Sequence, residues 1–143
     1  MALTIKQRVK IACDISNIKM SMVAEQMGMS PSSFTQRLSR GKSTKQDLMK
    51  IAEIIGCEYR SSFVFPSGKS FSAPLIGDQI MGALVYSGMT IAELGGKLGL
   101  VYADNVKGRM STGKFTQEEL EMLASYMGCT YISEFVFKDG TVI

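Results

Sequence analysis

One short stretch of the chain is dense in side chains that suit contact with a nucleic acid duplex. Between residues 30 and 42 it carries hydroxyl, amide and cationic groups, which are Ser30, Ser32, Ser33, Thr35, Gln36, Arg37, Ser39, Arg40 and Lys42. Glutamine pairs with adenine, arginine pairs with guanine, and hydroxyl groups bond to phosphates or base edges. These residue types favour recognition of DNA, and the competing interpretation is a polar helix face that is merely solvated.

The composition argues against most catalytic and metal sites. The chain has no histidine, and its three cysteines lack CxxC spacing, which excludes histidine zinc sites, Cys/His pairs and Ser/His/Asp triads. The segment from Gly108 to Lys114 fits most of a phosphate-binding P-loop, but Phe115 stands where that motif needs Ser or Thr, and no strand is predicted before it. We expect a protein that is not an enzyme and that needs neither a cofactor nor a metal.

Length and hydropathy indicate a small globular protein. The 143 residues are 45% apolar and 20% charged, which is enough apolar surface for a packed core. No apolar run approaches the roughly 18 residues of a membrane span, and MALTIKQRVK lacks the apolar stretch of a signal peptide. We expect a cytoplasmic protein that does not interact with membranes.

The elements that must position the polar stretch occur twice in the chain. SNIKMSMVAEQMGMS, from Ser16, aligns with SGMTIAELGGKLGLV, from Ser87, and LSRGKSTKQDLMKIAEIIGCEY aligns with MSTGKFTQEELEMLASYMGCTY. The offset is 71 residues in the first alignment and 72 in the second. The sequence therefore predicts two tandem repeats, residues 1–73 and 74–143, related by a pseudo-two-fold axis.

Caps and periodicity predict four short helices in each repeat. Helix starts are indicated by Thr4, by Ser30 followed by Pro31, by Thr44, and by the capping boxes of Thr90 with Glu93 and Thr116 with Glu119. Helix ends are indicated by Gly28, Gly41, Gly56, Gly99, Gly113 and Gly128. Apolar residues at helical spacing predict buried faces, notably Ile5, Val9, Ala12 and Cys13 in the first helix and Leu48, Ile51, Ala52 and Ile55 in the fourth.

A β-hairpin is predicted after each fourth helix. Tyr59, Phe63 and Phe65 alternate with more polar residues before a Pro-Ser-Gly turn, and residues 131–137 precede a Lys-Asp-Gly turn. Cys57 and Cys129, each directly after a glycine, are predicted to be small buried hydrophobic residues. The fold prediction is mainly α, with two four-helix helix-turn-helix repeats that each end in a short β-hairpin.

The spacing in the middle of each repeat is typical of a helix-turn-helix. Val23-Ala24, Gly28, Phe34 and Leu38 place a small residue, a tight turn and a buried helix face in the required order. With MSPSSF and GCEYRSSFVF, the chain resembles the Cro/repressor-like (XRE) helix-turn-helix family of bacteria and phages. The resemblance covers nearly the whole chain, twice.

This resemblance implies sequence-directed DNA binding, with the third helix of a repeat in the major groove. In the first repeat, the residues placed to reach DNA are Ser32, Ser33, Thr35, Gln36, Arg37, Ser39, Arg40 and Lys42, with Ser30 near a phosphate. In the second repeat, Lys107, Arg109 and Lys114 would allow backbone contact.

The two repeats differ in charge and in their third helices. Residues 1–73 hold eleven Lys/Arg and five Asp/Glu, a net charge of +6, whereas residues 74–143 hold five and eight, a net charge of −3. Tyr102, Asp104 and Gly108 stand in the second repeat where the first has its Ser-Pro start and Gln-Arg face. Phosphate neutralisation supplies much of DNA affinity. The first repeat is therefore the predicted DNA-binding half, and groove reading by the second stays open.

Two functions follow from these observations. The first is a transcriptional regulator of phage-repressor type that binds double-stranded DNA chiefly through the third helix of repeat one. The alternative is a helix-turn-helix scaffold that acts by protein binding, as a phage counter-defence inhibitor or an antirepressor. In that case the second repeat and the hairpin edges would contact a host protein or a second copy of the chain.

Overall fold

The structure is a computed structural model that describes residues 3–99 and 103–143, and in that part the chain is mainly helical, as predicted. The helices are α1 (Ile5–Ile15), α2 (Met20–Gln26), α3 (Pro31–Ser39), α4 (Lys45–Ile55), α5 (Ile76–Ser87), α6 (Ile91–Lys97), α7 (Ala103–Thr112) and α8 (Gln117–Met127). The strands are β1 (Glu58–Val64), β2 (Ser70–Phe71) and β3 (Thr130–Val136).

Local hydrogen bonds explain where the helices begin and end. Thr4, Thr44, Thr90 and Thr116 all cap helices in complete capping boxes. Each threonine hydroxyl accepts a backbone N–H three residues on, which satisfies one of the unpaired donors of the first turn. At the other end, Gly56 and Gly128 adopt the left-handed conformation that closes α4 and α8. The predicted starts at Thr4, Ser30 and Thr44 and these stops are confirmed.

The strands form one small antiparallel sheet in the order β2-β1-β3. In the first predicted hairpin, Phe63 pairs with Phe71 and Val64 with Ser70. After residues 138–140 the chain also turns back, but the return is a single bridge between Val136 and Val142 rather than a second strand. The second hairpin is therefore shorter than the first.

The chain divides into two compact units whose limits differ from the predicted boundary at residue 73. Unit 1 comprises Met1–Arg60 and Glu134–Ile143, and unit 2 comprises Ser61–Ser133. The difference arises from the aromatic residues of the strands. In unit 1 the Tyr59 ring packs on Phe135 at a centroid distance of 5.1 Å, and in unit 2 the Phe63 ring packs on Tyr131 at 5.2 Å. Each unit therefore takes core residues from both halves of the sequence.

The core of each unit is built from the predicted helix faces and these aromatic rings. In unit 1 the buried apolar residues of the core cluster are Val9, Ala12, Cys13, Val23, Ala24, Phe34, Leu38, Leu48, Ile51, Ala52, Ile55, Tyr59, Phe135 and Phe137. The prediction of burial was too strong for Cys57 and Cys129. Both are half-buried, because each follows the glycine that ends a helix and only borders a core.

Unit 2 contains a close approach between two helices. A Cβ added at Gly77 of α5 would clash with the backbone carbonyl oxygen of Met110 in α7. Glycine therefore lets α5 pack directly against the α7 backbone. In the described residues, none of the helices combines the length and apolarity needed to cross a bilayer.

Candidate nucleic-acid interface

Helix α3 is held by two buried side chains and leaves its other face exposed. Phe34 and Leu38, one turn apart, are 2% and 3% exposed in the unit 1 core. Residues at the remaining positions of a short helix must then face away from that core. Of the predicted contact residues, Ser30, Ser32, Ser33, Gln36, Arg37, Ser39, Arg40 and Lys42 are exposed. Thr35 is half-buried, so its predicted role as a DNA contact is the least favoured by position.

The start of α3 is a cluster of serine hydroxyl groups. Ser30 is the N-cap, and its Oγ accepts the backbone N–H of Ser33 at 3.2 Å while it donates to the Ser33 hydroxyl at 2.9 Å. Pro31 occupies the first helical position, where no backbone donor is needed. These bonds fix the first turn of α3, which carries the predicted phosphate contact at Ser30.

Five of the predicted contact residues line one open groove. The groove has a volume of about 340 Å³ and is lined by Ser33, Gln36, Arg37, Arg40 and Lys42. The first four lie at i, i+3, i+4 and i+7, which places them along one side of α3. The groove therefore combines an amide and a hydroxyl that can bond to base edges with three cationic groups that attract phosphate.

An ion pair that the sequence analysis missed connects α3 to the start of α4. Arg37 Nη2 lies 2.8 Å from Asp47 Oδ2, and the same oxygen accepts the backbone N–H of Thr44 at 3.0 Å. Asp47 is thus both the acidic partner of Arg37 and a member of the α4 capping box. Thr44 was predicted as a helix start, but the arginine ten residues before Asp47 gave no local signal.

The predicted contacts of the second half are arranged differently. Lys107 and Lys114 are exposed, but Arg109 is ion-paired with Glu119 and donates to the Lys114 carbonyl oxygen at 2.9 Å. The Arg109 guanidinium also lies 4.5 Å from the centre of the Phe115 ring. Three contacts therefore hold Arg109 against its own unit. The predictions for Tyr102 and for the Asp104 side chain lie outside the described residues.

Glu119 has an altered acidity at this ion pair. Burial alone would raise its pKa, but hydrogen bonds from the backbone and side chain of Thr116 and from Arg109 outweigh burial and lower the pKa of Glu119 below its usual value of 4.5. The carboxylate is therefore charged at neutral pH and pairs with the guanidinium.

The segment that resembles a P-loop belongs to a helix. Residues Gly108 to Thr112 lie within α7, and Phe115, at the position of the required Ser or Thr, is only 1% exposed. A P-loop needs a loop whose backbone N–H groups surround a phosphate.

In residues 3–99 and 103–143, no three Cys, Asp or Glu side chains come together as a metal site.

Comparisons with known proteins found no match among family models, curated proteins or solved structures.

Proposed function

We propose that the chain binds double-stranded DNA as a transcriptional regulator of phage-repressor type, with α3 in the major groove. The observation that carries the proposal is the groove lined by Ser33, Gln36, Arg37, Arg40 and Lys42. The major groove admits an exposed α-helix, and its base edges present distinct donors and acceptors. Gln36 and Arg40 would contact bases, while Lys42 and Ser30 would contact phosphates.

Charge supports DNA binding by unit 1 rather than unit 2. The sequence within unit 1 has eleven Lys/Arg against seven Asp/Glu, a net charge of +4, and unit 2 has five against six, a net charge of −1. Each phosphate that is neutralised releases condensed counterions, so the more basic unit gains more affinity. The contacts that hold Arg109 further reduce what α7 can offer to DNA.

We further propose that the chain arose from two tandem helix-turn-helix repeats with a pseudo-two-fold relation. Capping boxes of α4 and α8 and the ion pairs Arg37–Asp47 and Arg109–Glu119 recur at an offset of 72 residues. Regulators of this kind place two reading helices about 34 Å apart along the duplex. With unlike third helices, one chain would prefer a site that is not palindromic.

The experiment is fluorescence anisotropy with random-sequence 20-base-pair duplexes at two salt concentrations. Wild-type protein should bind more weakly as salt rises. Arg40→Ala with Lys42→Ala should weaken binding at least tenfold, and the matched pair Lys107→Ala with Lys114→Ala, which also removes two exposed cations, should change it less than threefold. No binding by the wild-type protein at low salt would refute the proposal.

A second candidate function is protein binding through unit 2. On α5, Val85 is 72% exposed, Tyr86 47% and Met81 38%. Apolar side chains that share one surface are typical of contact sites for other proteins. In this case Val85→Lys should abolish capture of a specific host protein and leave DNA affinity unchanged. Co-purification from host lysate tests it, and equal capture by wild type and variant would refute this candidate.

A further inference from the structure

The ion pair between Arg37 and Asp47 occupies one of the cations that line the α3 groove. Side chains of Arg37 and Asp47 are 44% and 24% exposed, so water reaches both partners. A pair with this exposure is held weakly, because solvent screens its charges. The Arg37 guanidinium is therefore neutralised locally in the free protein, but a stronger acceptor can replace the carboxylate.

The matching pair in unit 2 is held more firmly. Side chains of Arg109 and Glu119 are 27% and 30% exposed, and Arg109 has two further contacts, the Lys114 carbonyl oxygen and the Phe115 ring. The residue aligned with Phe115 in the first half is Ser43, which offers no aromatic ring below Arg37. A guanidinium on an aromatic face gains a cation–π interaction that must be lost before it moves.

We propose that Asp47 is a specificity-determining residue for the DNA binding proposed above, and the inference rests on that function. Asp47 holds Arg37 while the protein contacts DNA of unsuitable sequence, and releases it where a guanine presents N7 and O6. Guanine accepts two hydrogen bonds from one guanidinium inside the groove, whereas exchanging the carboxylate for a solvent-exposed phosphate replaces one screened ion pair with another. Asp47 thus keeps Arg37 from adding to binding at random sequence.

The test compares two duplexes and four variants. Selection from a random pool with the wild-type protein supplies an enriched duplex, and shuffling its sequence supplies the reference duplex. Asp47→Asn removes the charge, while its amide oxygen can still accept the Thr44 backbone N–H and preserve the α4 cap. Glu119→Gln is the matched control at the equivalent position of unit 2.

For Asp47→Asn we expect three- to tenfold tighter binding to the shuffled duplex. The slope of log affinity against log salt should become steeper by about 0.9, since one more phosphate is neutralised. The increase in affinity for the enriched duplex should be smaller, so the ratio of the affinity for the enriched duplex to that for the shuffled duplex should fall. Glu119→Gln should bind both duplexes within twofold of wild type.

Arg37→Ala gives a second measurement that does not depend on the folding of the Asp47 variant. The affinity of Arg37→Ala should fall about tenfold for the enriched duplex and less than twofold for the shuffled duplex. In Arg37→Ala with Asp47→Asn, the gain on shuffled DNA should disappear, because no guanidinium is left to release.

The outcomes separate this inference from the proposed function. If the wild-type protein binds DNA but Asp47→Asn keeps the wild-type ratio of affinities, or Arg37→Ala loses equally on both duplexes, the role of Asp47 is refuted and DNA binding stands. If neither wild type nor any variant binds either duplex at low salt, both proposals are refuted.

Discussion

Phe135 lies near the C-terminus but belongs to the core that is formed mainly by the first four helices. Its side chain is fully buried, its ring packs on Tyr59 at 5.1 Å, and the Arg8 guanidinium lies 5.4 Å from its centre. We therefore predict that Phe135→Ala destabilises α1 to α4 and leaves α5 to α8 largely protected. Phe63→Ala, at the equivalent position of the sequence repeat, should do the reverse, because Phe63 is buried in unit 2.

The expected magnitude follows from the volume that is removed. Truncation of a fully buried phenylalanine to alanine costs about 3–5 kcal/mol, from lost apolar burial and the cavity that remains. At the lower limit, about 3 kcal/mol corresponds to roughly a hundredfold increase in the population of the opened state. A compact unit of this size has a free energy of unfolding of about 4–10 kcal/mol, so Phe135→Ala removes a large part of it. Phe135→Leu, which keeps most of the apolar volume, is the milder substitution.

Native-state hydrogen exchange read by mass spectrometry measures this effect for each helix. Phe135→Ala should speed amide exchange of Val9, Ile51 and their neighbours in α1 and α4 by about a hundredfold where exchange reports global opening of unit 1. Phe135→Leu should produce the same pattern at smaller amplitude. Peptides from α5 and α8 serve as the internal reference in the Phe135 variants, and peptides from α1 and α4 in Phe63→Ala.

The result that would refute the reasoning is faster exchange in α5 to α8 for the Phe135 variants. That pattern would mean that each half of the sequence supplies its own strand to its own core. It would support the boundary at residue 73 that the repeat predicts.

Three further outcomes are expected. Gly77→Ala should lower the melting temperature in thermal denaturation, because the added Cβ would clash with Met110. Gly96→Ala should raise the melting temperature, because its Cβ meets no atom within 4 Å and alanine favours a helix over glycine by about 1 kcal/mol. A higher melting temperature for both variants would contradict the close approach. Because the pKa of Glu119 is lower in the folded state, its contribution to stability is present above pH 4.5 and is lost as pH falls through the folded pKa. Glu119→Gln should flatten that part of the acid-unfolding curve, and an unchanged curve would contradict it. Burial raises the pKa of Cys13 to about 11, so iodoacetamide at pH 8 should modify Cys13 only after unfolding in urea. Peptide mass spectrometry measures this labelling, and rapid modification of Cys13 in the folded protein would contradict the prediction.

The candidate site was only partly predictable from the sequence. Exposure of Gln36 follows from the helical spacing of Phe34 and Leu38, because two buried positions orient the whole of a short helix. Arg40 caps the end of that helix and Lys42 lies just beyond it. The engagement of Arg37 by a carboxylate did not follow. That carboxylate comes from the next helix, and only the packing of α3 beside the start of α4 brings the two charges to 2.8 Å.

What the sequence alone determined is the set of helices and their limits. Thr4, Thr44 and the glycines after α4 and α8 act through hydrogen bonds that span three to five residues, so neighbouring residues are sufficient to specify them. The tertiary structure decided which strand residues enter which core. The sequence repeat makes Phe63 and Phe135 equivalent, so local preference gives each the same strand and the same inward face. Only the pairing of residues far apart in the chain, such as Tyr59 with Phe135, distinguishes them, and that pairing depends on the packing of the whole unit.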